Sequence, residues 1–186
     1  MFPFSETLSA ADLATTIAEA HIGHACAAEM PHDRAPFVAA VTRQLGTARR
    51  YGMQPAVLVI SVQAHWAADQ SAIPPAETQE LMQQMREPLQ RQLRRADLLL
   101  QIDVNRFGVL LADALPISVA GICARLERPA AWPGHLLGRD LQLRVRVGAS
   151  GSPGGSPGGS PGGGSAWLEA GPMVLAAENA LRARQA

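Results

Sequence analysis

The sequence predicts an α+β fold with a central, mostly antiparallel sheet flanked by helices. Three observations carry this. Ala56 to Val62 is an apolar, β-branched run of strand length, which suits a central buried strand. Leu98 to Ala112 reads as a β-hairpin, with a polar turn before the apolar run Phe107 to Leu111. Helix-periodic stretches surround both. The order helix, strand, helix, hairpin, helix, strand, helix contains a β-α-β-β-α-β core, whose sheet needs helices packed on it.

Residues 1–36 form an N-terminal helix and linker, and residues 37–186 form the main domain. Ser9 to Ile22 is a short amphipathic helix, with Ser9 and Asp12 in a capping-box-like arrangement and Leu13, Ile17 and His21 on one face. His21, His24, Cys26 and His32 lie close together, but their spacing matches no standard closed zinc site, so no metal is expected. Pro31 to Pro36 breaks the chain. Phe37 to Tyr51 is the next helix, with Phe37, Val41, Leu45 and Ala48 on one stripe and Gly52 as its stop. After the strand, residues 63–75 read as a loop or an irregular helix. Ala76 to Arg95 is a long helix with Leu81, Met85, Leu89 and Leu93 at steps of four, and Pro88 should kink it.

Beyond the hairpin, Pro116 starts a helix to about Arg128, with Val119, Ile122 and Leu126 inward. Ala130 to Gly138 is a loop. Leu141, Leu143, Val145 and Val147 alternate with Gln142, Arg144 and Arg146, a strand with one apolar face. Ser150 to Ser165 holds three copies of Ser-Pro-Gly-Gly, a flexible insert that cannot pack a core. Pro172 to Arg184 is the last helix, with Leu175, Ala176, Asn179 and Leu181 near one face.

The totals exclude several function classes. A chain of 186 residues suits one compact domain with a short extension, and 47% hydrophobic content is ordinary for a globular protein. All 16 basic residues are arginine, balanced by 16 acids, so bulk binding to nucleic acid or anionic lipid is not expected. Two distant cysteines, Cys26 and Cys123, make no disulfide framework. No stretch approaches the ~20 apolar residues of a membrane span, and the N-terminus lacks the positive start of a secretory signal. A cytoplasmic location is expected.

Around the hairpin the sequence resembles the GGDEF family, the diguanylate cyclases. Arg49-Arg50-Tyr51-Gly52 before a hydrophobic strand, Arg95-Ala96-Asp97-Leu98 before the hairpin, Val145-Arg146-Val147-Gly148-Ala149, and Ala176-Ala177-Glu178-Asn179-Ala180-Leu181 each match a family landmark. The similarity runs from about Phe37 to Ala186 and implies a ferredoxin-like, palm-type layout. Where the family has Gly-Gly-Asp-Glu-Phe, this chain has Asp103-Val104-Asn105-Arg106-Phe107. Val104 adds a side chain where the family needs close backbone approach. Arg106 is a cation where a carboxylate holds Mg²⁺, and the other metal aspartate is replaced by Ser61. The nucleotide-holding segment also differs, at Asp69, Gln70, Ile73, Pro74, Glu77 and Thr78. Phosphoryl transfer relies on metal positioning, so the resemblance implies a degenerate domain with no cofactor and no enzymatic activity.

The family's product-binding inhibitory site is Arg-x-x-Asp, five residues before the signature, plus an arginine on the next helix. Arg94 and Asp97 have that spacing, with Arg95 beside them, and Arg125 falls at the matching place for the second arginine. Arginine forks suit guanine's O6/N7 edge and phosphate, while a carboxylate suits guanine's N1–H and N2–H edge. On a helix, residues i and i+3 lie side by side, so Arg94 and Asp97 would grip one guanine together. The expectation is a receptor for cyclic di-GMP that relays its signal to a protein partner, with ligand-linked dimerisation in reach. The alternative is a nucleotide-independent interaction module that uses the helix 9–22.

Overall fold

The computed structural model describes residues 34–128, 132, 134–150 and 169–185. The N-terminal helix, the histidine and cysteine cluster and the Ser-Pro-Gly-Gly insert lie outside them.

Helix α1 (Ala35–Tyr51) begins with proline in its first turn and stops at Gly52, whose φ of 66° is the left-handed conformation that glycine adopts cheaply. Strand β1 is Ala56–Trp66 and helix α2 is Pro75–Arg91. The hairpin is β2 (Leu98–Asp103) and β3 (Arg106–Leu111). Helix α3 (Pro116–Leu126), the two-residue strand β4 (His135–Leu136), β5 (Arg139–Ser150) and helix α4 (Ala170–Ala183) complete the order.

The sheet has five strands in the order β2-β3-β1-β5-β4, and every described pairing is antiparallel. Strand β1 is central and pairs with β3 on one side and β5 on the other. Its alternating side chains feed two cores. Leu58, Ile60, Val62 and Trp66 pack with Leu81, Met85 and Leu89 of α2 and with Leu126 of α3. Val57 and Val59 pack with Phe37, Val41 and Leu45 of α1 and with Met173, Val174 and Ala177 of α4. Helices therefore cover both faces, as the run of β-branched residues predicts.

Four expectations need correction. Strand β1 continues to Trp66, because Gln63 to Trp66 keep their pairing with Leu141 to Arg144. Trp66 is buried, and the Arg139 guanidinium lies 3.7 Å from its ring centre, a cation–π contact that anchors the strand end. The loop before β5 contains the small strand β4, whose backbone pairs with Arg139 and Asp140. Helix α2 ends at Arg91 rather than Arg95. Pro88 offers no N–H in its last turn, and the Gln90 carbonyl accepts from Leu93 instead of Arg94. The inward face of α4 is Met173, Val174, Ala177, Glu178 and Leu181, while Leu175 is exposed. Glu178 can be buried there because Arg34 pairs with it at 3.1 Å.

Gly148 of β5 sets the seat of α4. A Cβ at this position would stand 2.2 Å from the Ala177 carbonyl oxygen and 2.4 Å from the Leu181 nitrogen. Helix backbone cannot yield as a flexible side chain does. Gly148→Ala should therefore cost about 2–3 kcal/mol in chemical denaturation; a loss below about 1 kcal/mol would show that α4 slides freely on the sheet.

Candidate functional site

The segment joining α2 to β2 positions the predicted ligand residues. Arg94 and Asp97 do not share a helix face, contrary to the sequence-based expectation; they stand at the two ends of a turn. The Asp97 N–H donates to the Arg94 carbonyl at 3.0 Å, and the Arg94 N–H donates back to Asp97 Oδ2 at 2.8 Å. The other carboxylate oxygen accepts from the Ala112 N–H at 3.3 Å. Asp97 is only 6% exposed. Its carboxylate thus staples the approach to β2 onto the end of β3, and so ends α2 early by capturing an amide the helix would have used.

Ala112 is held from the far side as well, since Gln44 of α1 donates its side-chain amide to the Ala112 carbonyl at 3.2 Å. Next to it, the Gln54 N–H donates to Asp113 Oδ1 at 2.9 Å and the Ala114 N–H donates to the Gln54 carbonyl at 2.8 Å. These ties fix the segment that follows the hairpin. Arg94 and Arg95 are left with exposed side chains. Arg125, exposed on α3, reaches across and donates from Nη2 to the Gln92 carbonyl. The structure therefore brings Arg125 to the segment that carries Arg94 and Arg95, and turns Asp97 inward. Sequence reasoning missed Gln44 and Gln92, because neither carries a charge or motif that marks it.

The signature hairpin lies at the other end of the same two strands. Asp103 Oδ1 accepts from the Val104 N–H at 2.8 Å, which forms the turn. A bulge between Gln101 and Asp103 brings Asp103 opposite Arg106. Ser61 is buried in mid-strand, directly across from Arg106. The residues present do not fit a Mg²⁺ ion. A hydroxyl and a guanidinium occupy the positions that the resemblance assigns to metal carboxylates, and the nearby Asp103 carboxylate faces Arg106 at 3.9 Å. Among the described residues no three His, Cys, Asp or Glu side chains cluster as a metal site. Nor is any described helix long and apolar enough to cross a membrane.

Comparison with known proteins places this geometry in a fold. No protein-family model matches the chain, and no curated protein matches it in sequence. Solved structures do. Diguanylate cyclase SiaD from Pseudomonas aeruginosa, in complex with its activator SiaC, aligns with a TM-score of 0.61 at 14% identity over 94% of this chain and 62% of that one. The active GGEEF domain of a diguanylate cyclase from Vibrio cholerae aligns at 0.57 and 10% identity over 82% and 90%. The GGDEF domain of DgcB from Caulobacter crescentus, in complex with c-di-GMP, aligns at 0.53 and 13% identity over 88% and 92%. The chain has a GGDEF-type, palm-like α+β fold.

This overturns one expectation. The sequence suggested a chain that is no enzyme, yet the structures sharing its fold include an active cyclase domain. Loss of two carboxylates is a statement about a metal site, and absence of activity does not follow from it.

The Asp97 staple is directly testable. Asp97→Ala removes the acceptor of two backbone N–H groups; a hydrogen bond to a charged group is worth roughly 1.5–3 kcal/mol, and the longer 3.3 Å bond to Ala112 adds little to it. Stability should fall by about 2–3 kcal/mol in urea denaturation. A change under about 0.5 kcal/mol would mean that the turn holds without it.

Proposed function

We propose that this GGDEF-fold chain binds cyclic di-GMP beside the α2–β2 turn and passes the bound state on through protein contact. Arg94 and Arg125 are the direct ligands, Arg95 stands alongside, and Asp97 sets the turn that presents them. The observation that carries this reading is the hydrogen bond from Arg125 to the Gln92 carbonyl, which gathers cations from two separate elements at one place. That bond uses one guanidinium nitrogen of Arg125 and leaves other N–H donors available to a ligand.

The ligand chemistry matches. Cyclic di-GMP offers two phosphates and two guanines, and arginine can pair with either group or stack on a purine face. The complex of the Caulobacter domain with c-di-GMP supports the pairing of this fold with this ligand. The complex of SiaD with its activator likewise supports a protein partner for the fold. A stacked pair of ligands could also bridge two copies of the chain, which makes dimerisation linked to ligand part of the proposal.

Calorimetric titration of the full chain with cyclic di-GMP tests the reading. Each charge-assisted contact is worth roughly 1.5–3 kcal/mol, so Arg94→Ala should weaken binding by about 10- to 100-fold. Arg86→Ala, on the exposed side of α2, should leave affinity unchanged. No heat with the wild-type chain, or equal affinity in Arg94→Ala, would reject the proposal.

A further inference from the structure

We propose that the outer edge of β5 at Leu143 and Val145 is a slot for a short extended segment of a partner protein, one that alternates acidic and apolar residues. The slot gives a surface to the protein contact proposed above and rests on that part of the reading, not on the dinucleotide.

The backbone pattern of β5 defines it. Val147 turns its backbone away from β1: its N–H donates to Glu127 Oε1 at 2.8 Å, and its carbonyl accepts from Arg184 Nη1 at 2.8 Å. In an antiparallel pair that orientation repeats every second residue, so Val145, Leu143 and Leu141 turn outward too. Two bonds agree. The Leu141 N–H donates to the Gly134 carbonyl at 2.7 Å, and Val62, opposite Val145, donates its N–H to the Asn105 carbonyl, on the side away from β5. The outward row is closed at both ends. At one end Glu127 and Arg184, paired at 2.9 Å, take the place of a strand beside Val147. At the other, β4 and Gly134 pair with Arg139 to Leu141. Between them, no described residue bonds the outward groups of Leu143 and Val145.

The gap is a cavity and not a packed wall. It holds about 290 Å³ and is lined by Glu127, Trp132, Leu143, Arg144, Val145 and Arg146. Val145 is buried and Leu143 half-buried, so the row is reached through the cavity. Trp132 is only 9% exposed, and its Nε1–H has no acceptor. Buried polar groups are nearly always paired, yet here an indole donor and two strand residues stand with nothing opposite them. Arg144 is exposed and Arg146 half-buried, and neither forms an ion pair among the described residues.

A small anion would meet the arginines but leave the strand donors and acceptors unmatched. An extended chain matches both. Its main chain bonds Leu143 and Val145, as in strand addition to a sheet edge. Its residues opposite Leu143 and Val145 project toward Trp132 and the α2/α3 core, and are therefore apolar. Those opposite Arg144 and Arg146 project to the other face, and are therefore acidic. The two open residues span about 6.8 Å, and Glu127 with Arg184 blocks continuation past Val147, so the segment that fits is about four residues long.

The test is heteronuclear NMR of the full chain titrated with acetyl-Glu-Val-Glu-Val-amide, without dinucleotide. In antiparallel register the two valines face Val145 and Leu143. Saturable shifts are expected at the Leu143 and Val145 amides and at the Trp132 indole N–H. Trp132→Phe and Arg144→Gln should each weaken the peptide by about three- to tenfold. N-methylation of both valine amides should abolish binding, because those N–H groups face β5, while N-methylation of both glutamate amides should leave affinity within about twofold. Should Trp132→Phe not fold, the methylated peptides carry the test on the unaltered chain. No saturable shift, shifts centred elsewhere, equal loss with both methylation patterns, or equal binding of acetyl-Lys-Val-Lys-Val-amide would each overturn the proposal. So would concentration-dependent shifts of the same amides without peptide, which would assign the edge to a second copy. A chain that takes up the peptide but gives no heat with cyclic di-GMP rejects the dinucleotide alone, and the converse rejects the slot alone.

Discussion

Strand β1 is hydrogen-bonded along both edges and buried on both faces, and that double constraint sets everything around it. A slip of one residue in β1 would send Leu58, Ile60 and Val62 to the α1/α4 side and Val57 and Val59 to the α2/α3 side, mismatching two cores at once. Register is thus fixed by packing, and it fixes the chemistry in turn. Ser61 must stand between Arg106 and Arg146, and β3 must end where the Ala112 N–H can meet Asp97. No side chain at either place needs to choose its position independently.

The β2–β3 hairpin then presents different chemistry at its two ends. At the α2 end, a buried carboxylate satisfies backbone amides and leaves the arginines around it outward. Such use of an acid is structural, yet it has a functional consequence: Arg94 is not neutralised by the neighbour that its spacing suggests. At the tip, Arg106 and Arg146 flank the buried Ser61 hydroxyl, with Asp103 3.9 Å from Arg106. The chain is neutral as a whole, so both concentrations of positive charge arise from placement and not from excess.

Much of the fold was legible because its strongest signals are periodic. The stripe Phe37, Val41, Leu45, Ala48 and the run from Ala56 to Val62 depend on apolar burial, which sequence shows directly. The misreadings share a cause in tertiary contacts. In α4, Leu175 looked like core, but the close seat of the helix on Gly148 turns Ala177 and Leu181 inward, and Glu178 is buried with Arg34 as its partner. The extension of β1 to Trp66 depends on its pairing with β5 and on Arg139, both remote in sequence. At the candidate site, the spacing of Arg94, Asp97 and Arg125 was visible, but the inward turn of Asp97 was not. It requires Ala112, fifteen residues away, to supply a donor. The row across Ser61 was hidden for the same reason, since Arg144 and Arg146 read only as the polar side of a strand. The inference that the chain is no enzyme rested on motif loss alone and gave way to the fold it shares with a working cyclase domain.

The central functional claim is that Arg94 and Arg125 act on one ligand together. A double-mutant cycle of Arg94→Ala and Arg125→Ala, with cyclic di-GMP affinity as the readout, measures that most directly. Residues that share a ligand should show coupling of about 0.5–3 kcal/mol. Strictly additive losses, or a double variant that binds as well as the wild type, would contradict it.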